Sequence, residues 1–520
     1  MSKFAKLTAA LGRTGMAKSP VTAVGPGLTH EGGGGYRRDA KGELFLLAVT
    51  NFVGEDTFYE SASDRDARYR DLVATVTRDD PEWVARFVPW LRRTALMRSV
   101  SIVTAAEYVR AGGPHGRRVI ASACARADEP AEVLAYWMLR YGRNLPQPVK
   151  RGVADAAARL FTEQAALKYD GTGRAWRMAD VLELAHVRPR DAAQSDLFGW
   201  LLDRRHDRPG VTVPDSLGTI SAYTRLQKLE PAARRGALDA ATLRDAGMTW
   251  ESVSGWLGGP MDAAAWQAMI PSMGYMALLR NLRNFHEAGV SDSVAASVAA
   301  RLADPDEVAR SRQLPYRFWS AYAATSSTRW VDALERALRA AVRNVPEFAG
   351  RTLVLVDTSS SMTGYGYSAR SAVTPAQAAA LFGVAMAVRG NAVDLVGFAD
   401  GVFPHDVRRG ASVLREVERF TARVGEVGHG TRIGAALYAA YDGHDRVVIV
   451  SDMQTFREPG LTVSAGVGAH VPVYGFNLGG YATTVVDAGG ANRHEFGGLT
   501  DATFRMLSLI ERGTDAAWPF

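Results

Sequence analysis

The feature that most constrains this chain is the run Arg351-Thr-Leu-Val-Leu-Val-Asp357. Its apolar centre leaves no polar face. A strand that is apolar on both sides is satisfied only inside a parallel sheet covered by helices on both faces. After it the pattern alternates. Pro375 to Val388 reads as an Ala-rich helix, Ala392 to Phe398 as a strand, and Ser412 to Arg423 as a helix. Thr431 to Tyr441 reads as a helix, Arg446 to Asp452 as a strand, Val471 to Phe476 as strand-like, and Asp501 to Glu511 as a closing helix. Strands alternating with helices argue a doubly wound α/β domain over 350–520, whose ligands sit outside the carboxyl ends of the strands.

Residues 1–349 follow a different grammar. The Gly-rich stretch Gly25-Pro-Gly-Leu-Thr-His-Glu-Gly-Gly-Gly-Gly-Tyr36 reads as a loop, because clustered glycines lose too much entropy in a helix. Beyond it helix follows helix. Asp80 and Pro81 form a start signal, and Trp83, Phe87, Trp90 and Leu91 then make one apolar stripe, with Pro89 expected to kink or split it. Val133, Leu134, Trp137 and Tyr141 make another, stopped by Gly142. Val153, Ala157, Leu160 and Phe161 follow the same spacing, as do Trp330, Leu334, Leu338 and Ala341. Each such helix needs a neighbour to cover its apolar face, which suggests a bundle or an α-solenoid of paired helices.

Composition narrows the function. Residues 1–350 carry 47 Lys and Arg against 39 Asp and Glu, while 351–520 carry 14 against 16. The helical half is therefore the candidate for a polyanion partner, although codon bias toward Arg would leave the same excess. Cys124 is the single cysteine, so neither a disulfide framework nor a Cys-rich zinc site is available, and a reducing cytoplasm is the expected compartment. No apolar run approaches the roughly 18 residues of a membrane helix. The first 20 residues lack the continuous apolar centre of a secretory leader.

Three segments of the α/β half carry chemistry. The strand at 351 ends in Asp357-Thr-Ser359-Ser-Ser361, Gly428-His-Gly430-Thr431 opens a later helix, and the strand Val447 to Ser451 ends in Asp452. The fold should bring them to one rim. Two carboxylates and three hydroxyls make a hard, all-oxygen site suited to Mg²⁺ or Mn²⁺, with one position open to an acidic oxygen from a partner. Ser and Asp at strand ends also serve as caps and turn formers, which is the alternative for each residue taken singly. Together Asp357, Ser359, Ser361, Thr431 and Asp452 resemble the metal-ion-dependent adhesion site of von Willebrand factor A domains. That resemblance implies a Rossmann-like α/β sandwich whose metal serves binding. Arg432 beside Thr431 is a cation that could compete at the site.

The helical half resembles the TROVE module of Ro ribonucleoproteins and their bacterial orthologues. Lys168-Tyr169, Gly173-Arg174-Ala-Trp176 and Asp180-Val-Leu-Glu-Leu-Ala-His186-Val-Arg188-Pro189 are similar to one block of that family. Met273-Gly-Tyr-Met-Ala-Leu-Leu-Arg280-Asn281-Leu282 is similar to a second, and Pro315-Tyr316 after Arg310 and Arg312 to a third. The resemblance implies an all-α, HEAT-like helical-repeat ring over 1–349, followed by the von Willebrand factor A domain. It implies small structured Y-type RNA on the ring exterior, single-stranded RNA ends in a basic central hole, and a role in RNA quality control and decay. An exoribonuclease partner such as polynucleotide phosphorylase, a monomeric ring and no membrane association go with it. Carried over, Lys168, Arg174 and His186 become RNA-binding candidates with Arg188 as a neighbour, and Arg280 a candidate to line the hole. On residue chemistry alone His186 could be a core histidine, Arg280 a helix cap or ion-pair partner, and Lys168 a solvated helix end.

A metal-dependent protein-adhesion scaffold without RNA is the competing reading. An enzyme is disfavoured: the chain has no Gly-x-Ser-x-Gly, His-Glu-x-x-His or phosphate-binding Gly-x-x-x-x-Gly-Lys-Ser/Thr motif, and His429 reads as a loop residue.

Overall fold

The computed structural model describes residues 17–50, 53–325, 327–343, 345, 347–366, 373–390, 392–499 and 501–520. The first 16 residues, on which the expectation of no leader mainly rests, lie outside them. The chain forms two compact units. One comprises Leu338–Phe520, Leu314–Ser320 and the described part of Met1–Val76; the other comprises Thr77–Gln313 and Ala321–Ala337.

The first unit is built on a six-stranded sheet. In chain order the strands are β3 (Thr352–Asp357), β4 (Val393–Phe398), β5 (Val402–Pro404), β6 (Arg446–Ser451), β7 (Val473–Asn477) and β9 (Arg493–Gly497). Their spatial order is β5-β4-β3-β6-β7-β9, all parallel except the edge strand β5. Every residue of β3 is buried, as its apolar run requires. Leu353 and Leu355 point to the face covered by the helix Ile433–Ala440, where Ile433 and Leu437 join Val447, Ile449 and Val473 in one core cluster. The helix Pro375–Arg389 covers the opposite face. It lies so close that a Cβ on Gly383 would meet Val356 and Leu395 at 2.8 Å. β3 leads to β4 on one side and β6 lies on the other, so the crevice between β3 and β6 is a topological switch point, the place where such sheets bind ligands.

Two differences from the sequence reading concern the first 76 residues. The Gly-rich stretch is not a plain loop: β1 (Ala23–Leu28) and β2 (Gly34–Arg38) pair antiparallel, Gly25 opposite Arg37 and Leu28 opposite Gly34. β2 also pairs with β8 (Thr483–Thr484). The glycines serve close approach: a Cβ on Gly35 would stand 2.7 Å from the Thr484 carbonyl oxygen. The division between units also does not fall at 349/350, because this N-terminal segment packs on the sheet. Arg38 gives Nε to Glu495 Oε2 at 2.6 Å and NH2 to Oε1 at 2.5 Å, both side chains fully buried, and Asn477 Nδ2 donates to Glu495 Oε1 at 2.9 Å. A helix at Ala40–Thr50 covers β9, where a Cβ on Gly497 would meet Val49 and Leu46 at 2.5 and 2.6 Å. Charged residues at positions 457 apart carry no local signal, so the segment could not be placed from its pattern.

The second unit is helical. Asp80 accepts the Trp83 N–H at 3.1 Å with Pro81 in the first turn, as expected. Pro89 does not split that helix, which runs unbroken from Pro81 to Arg93 with Trp83, Phe87 and Leu91 buried. The next stripe ends at Tyr141, where Gly142 takes φ +79° and donates to the Met138 carbonyl. At the far end, Arg312 NH1 donates to the Arg93 carbonyl at 3.0 Å, tying the segment after helix Pro305–Ser311 back to the helix Pro81–Arg93. Among the described residues no helix is long and apolar enough to cross a membrane.

Candidate metal centre and nucleic-acid surface

Asp357 is the last residue of β3 and Asp452 follows the last residue of β6, so the switch point places both carboxylates at one crevice. Both are fully buried. Asp357 accepts the Ser359 N–H at Oδ1 (2.9 Å) and the Ser451 hydroxyl at Oδ2 (2.6 Å). Ser359 and Ser361 hydroxyls stand 3.1 Å apart. Asp452 Oδ1 accepts the Gln454 N–H at 3.0 Å, while Oδ2 has no hydrogen-bond partner among the described residues. Burial raises both carboxyls above the usual range, and for Asp452 the charge of Asp357 adds to it. An orphaned buried carboxylate oxygen beside a second carboxylate is the arrangement a cation stabilises. Among the described residues no cluster of three or more His, Cys, Asp or Glu stands at ligating spacing. The donor set is two carboxylates with hydroxyls, which fits a hard, partly hydrated cation such as Mg²⁺.

Thr431 is also buried, and the turn that carries it is fixed from outside. Asp400 Oδ2 accepts the N–H groups of His429 and Gly430 at 3.0 Å each, and these bonds hold the Asp400 carboxyl below its ordinary range. Gly428 takes φ +92° there, with no room for a Cβ against Asp400. The Thr431 carbonyl accepts Phe456 N–H at 2.9 Å and the Thr455 hydroxyl at 3.0 Å. Arg432 pairs with Asp400: its Nε lies 3.7 Å from Asp400 Oδ1 and its guanidinium 5.8 Å from the Phe456 ring centre. His429 is an exposed loop residue, as read.

Sequence reasoning missed the groups that hold this crevice. Ser451 was hidden inside the β6 run, and Asp400 follows β4 with no motif around it. Tyr59 and Glu31 come from the N-terminal segment: the Tyr59 hydroxyl donates to Glu31 Oε1 at 2.6 Å. Burial, the Glu31 bond and the charge of Asp452 all push the Tyr59 phenol up, against an opposing interaction with Ser361.

In the helical unit, four of the five basic candidates lie on one stretch of chain. Lys168 is exposed on the helix Glu163–Tyr169, with Nζ 5.4 Å from the Tyr169 ring centre. Arg126 stands 5.2 Å from the same ring. Arg126 also donates to Asp128, and Arg174 NH1 lies 3.7 Å from Asp128 Oδ2. Arg98 reaches the same carboxylate at 3.1 Å. Burial works to raise Asp128, but Arg126 and Arg98 outweigh it and hold it ionised. Lys168, Arg126, Tyr169 and Arg174 therefore form one neighbourhood, in which an aromatic ring is flanked by two cations. Arg98 and Arg126 were not singled out from sequence because they lie 40 and more residues away from Arg174. His186 is not a core histidine. It is exposed at the end of the helix Met178–Ala185 and takes φ +53°. Arg188 is exposed just beyond it. Arg280 is exposed as the last residue of the helix Tyr275–Arg280, and no described contact joins it to the other four.

The TROVE domain family matches residues 245–329, a segment that contains Arg280 but not Lys168, Arg174, His186 or Arg188. The chain is 30% identical over 288 residues to an RNA-binding protein RO60 of Deinococcus radiodurans; the matched part is 50% of this chain and 52% of that protein. It thus spans about half the length of this curated relative. The crystal structure of the Deinococcus radiodurans RO (RSR) protein superimposes with a TM-score of 0.64 at 20% identity, covering 91% of this chain and 99% of that one. At that identity the superposition speaks for the fold, and it supports a helical module combined with an α/β domain.

Proposed function

From the premise that this chain resembles the Ro ribonucleoproteins in sequence and in fold, we propose that it is an RNA-binding ribonucleoprotein component. The observation that carries this reading is the Tyr169 ring flanked by Lys168 and Arg126, with Arg174 joined to Arg126 through Asp128. Cations around an accessible aromatic ring bind phosphates and stack unpaired bases. Lys168, Arg174 and His186, with Arg188 beside them, are the proposed contacts for a small structured Y-type RNA. Single-stranded ends of misfolded or decaying RNA are proposed to enter a basic hole in a monomeric ring, with Arg280 among its lining. The bond from Arg312 to the Arg93 carbonyl, which ties the helical unit back on itself, is compatible with such a ring.

In this reading the protein is a cytoplasmic scaffold and not an enzyme. It presents RNA to an exoribonuclease such as polynucleotide phosphorylase. The α/β unit would hold Mg²⁺ or Mn²⁺ through Asp357, Ser359, Ser361, Thr431 and Asp452. When bound, that cation supplies an electrophilic position for an acidic oxygen. Ser451, by holding Asp357, and Asp400, by holding the turn of Thr431, position the donors.

The test is to crosslink the protein to RNA in its host cells and sequence the RNA recovered with wild type and with Lys168→Ala/Arg174→Ala/His186→Ala. A discrete structured RNA that disappears in the triple variant is the expected result. Recovery of no RNA above background would leave metal-dependent adhesion as the reading.

A further inference from the structure

The tip of the β1–β2 hairpin lies on the segment that follows Asp452. The Thr29 hydroxyl donates to the Thr455 carbonyl at 2.6 Å, and Gly33 N–H reaches the same oxygen at 3.1 Å. His30 N–H donates to Gln454 Oε1 at 2.8 Å, and Gly32 bridges to Phe456. The fit leaves no slack: a Cβ on Gly33 would stand 2.4 Å from the Thr455 carbonyl oxygen. Gln454 is the residue whose N–H holds Asp452 Oδ1, so the hairpin tip and the candidate ligand share one support.

This placement brings Glu31 to the crevice. Its carboxylate accepts from the Tyr59 hydroxyl at 2.6 Å, and the neighbouring Phe58 ring lies against Gly364, where a Cβ would stand 3.4 Å from it, just beyond the segment that carries Ser359 and Ser361. Tyr59 is itself fixed, stacked on His30 at 5.2 Å and edge-on to Tyr481 at 5.3 Å. The segment that carries Tyr59 is anchored by Arg65 NH1 to the Gly479 carbonyl and Arg68 NH2 to the Gly480 carbonyl, both at 3.1 Å. Glu31 is half-buried. A further carboxyl group brought to a crevice that already holds two buried ones is unfavourable unless a cation lies among them. The orphaned Asp452 Oδ2 points to the same missing charge.

We propose that Glu31 is the chain's own carboxylate for the face of the cation at which a partner's acidic oxygen would bind, with Tyr59 as its positioning residue. This rests on the metal reading given above. Among the described residues Glu31, Asp357 and Asp452 do not form a three-carboxylate ligating cluster. Glu31 would therefore reach the cation through a bound water, which Mg²⁺ retains readily.

The test uses the full-length protein and Mn²⁺, read by calorimetry and by water-proton relaxation, with acetate as the added carboxylate. Wild type is expected to bind Mn²⁺ with a relaxation signal that acetate does not change. Glu31→Gln is expected to bind Mn²⁺ about 10-fold more weakly, as loss of an outer-shell partner does, and to gain a response to acetate. Tyr59→Phe, which keeps the carboxylate and loses its support, is expected to gain part of that response. Glu31→Gln indistinguishable from wild type, while Asp452→Asn abolishes binding, would overturn the role of Glu31 and leave the metal site standing. Weaker Mn²⁺ binding with no gain of acetate response also overturns it. Absence of Mn²⁺ binding in wild type overturns this proposal and the metal site together.

Discussion

Ser451 Oγ donates to Asp357 Oδ2 at 2.6 Å, across the crevice between β6 and β3. The parallel register pairs Val356 with Val450, so the next residues of each strand, Asp357 and Ser451, come opposite one another. A residue without a motif of its own thereby sets the direction of a candidate ligand. Ser451→Ala should destabilise the protein by about 1.5–3 kcal/mol, the usual worth of a hydrogen bond to a charged group. It should also weaken Mn²⁺ binding about 10-fold. Urea unfolding and calorimetry check the two effects, and unchanged Mn²⁺ affinity would remove Ser451 from the site.

The turn before Thr431 depends on Gly428, whose φ of +92° and lack of a side chain leave room for Asp400. Gly428→Ala should cost about 1–3 kcal/mol through forced backbone strain, and more if Asp400 is displaced. Loss of Mn²⁺ binding should accompany it, because the turn places Thr431. A variant as stable as wild type would show that the turn tolerates another conformation.

The Arg38–Glu495 pair is fully buried and bidentate, and it holds β2 against the sheet. Removing one partner leaves an uncompensated buried charge, so Arg38→Met should destabilise by about 3–5 kcal/mol. The double variant Arg38→Met/Glu495→Met should recover much of that loss. The check is a double-mutant cycle by urea unfolding; additive losses would argue against a coupled pair.

His494 predicts a pH effect. It is buried against Tyr474, its Nε2 has no hydrogen-bond partner among the described residues, and burial and then the charge of Arg493 push it down to about 4. Its folded value is below the unfolded one near 6.5, so the unfolded chain binds the extra proton between those values. The folded state keeps its full stability above about pH 6.5 and loses it as pH falls toward 4. At about 1.4 kcal/mol for each tenfold change in proton affinity, the total is on the order of 3 kcal/mol. Urea unfolding from pH 7 to 4.5 should show the loss, and His494→Phe should flatten it. An equal slope in the variant would assign the acid sensitivity to other groups.

Affinity for a structured RNA should fall linearly with salt on logarithmic axes, with a slope near −0.9 for each phosphate neutralised on a duplex. Lys168→Ala/Arg174→Ala should reduce that slope by roughly 1.8 if each contacts one duplex phosphate. Filter binding between low and moderate salt measures it. A uniform affinity loss with the slope kept would mean that the two residues act through Tyr169 and Asp128 instead.

Much was legible in the chain itself, because the signals are local. Four apolar residues in a row made β3 a buried parallel strand, Asp80 before Pro81 started a helix, and Gly142 ended one. Asp357, Ser359, Ser361, Thr431 and Asp452 could be chosen because strand ends and helix starts share one rim in a doubly wound sheet. The tertiary structure decided what no local pattern encodes. Glycines between 25 and 36 predicted a loop, yet the pairing of β1 with β2, the addition of β8 and the buried Arg38–Glu495 pair hold them as strands, because ladder bonds satisfy N–H and carbonyl groups that a loop would leave to water. Glu31, Tyr59, Asp400 and Ser451 gained their places by register and burial, between residues far apart in the chain. Periodicity reports which face of an element is apolar; it holds no information on which distant carboxylate or hydroxyl that face will bring to a charge.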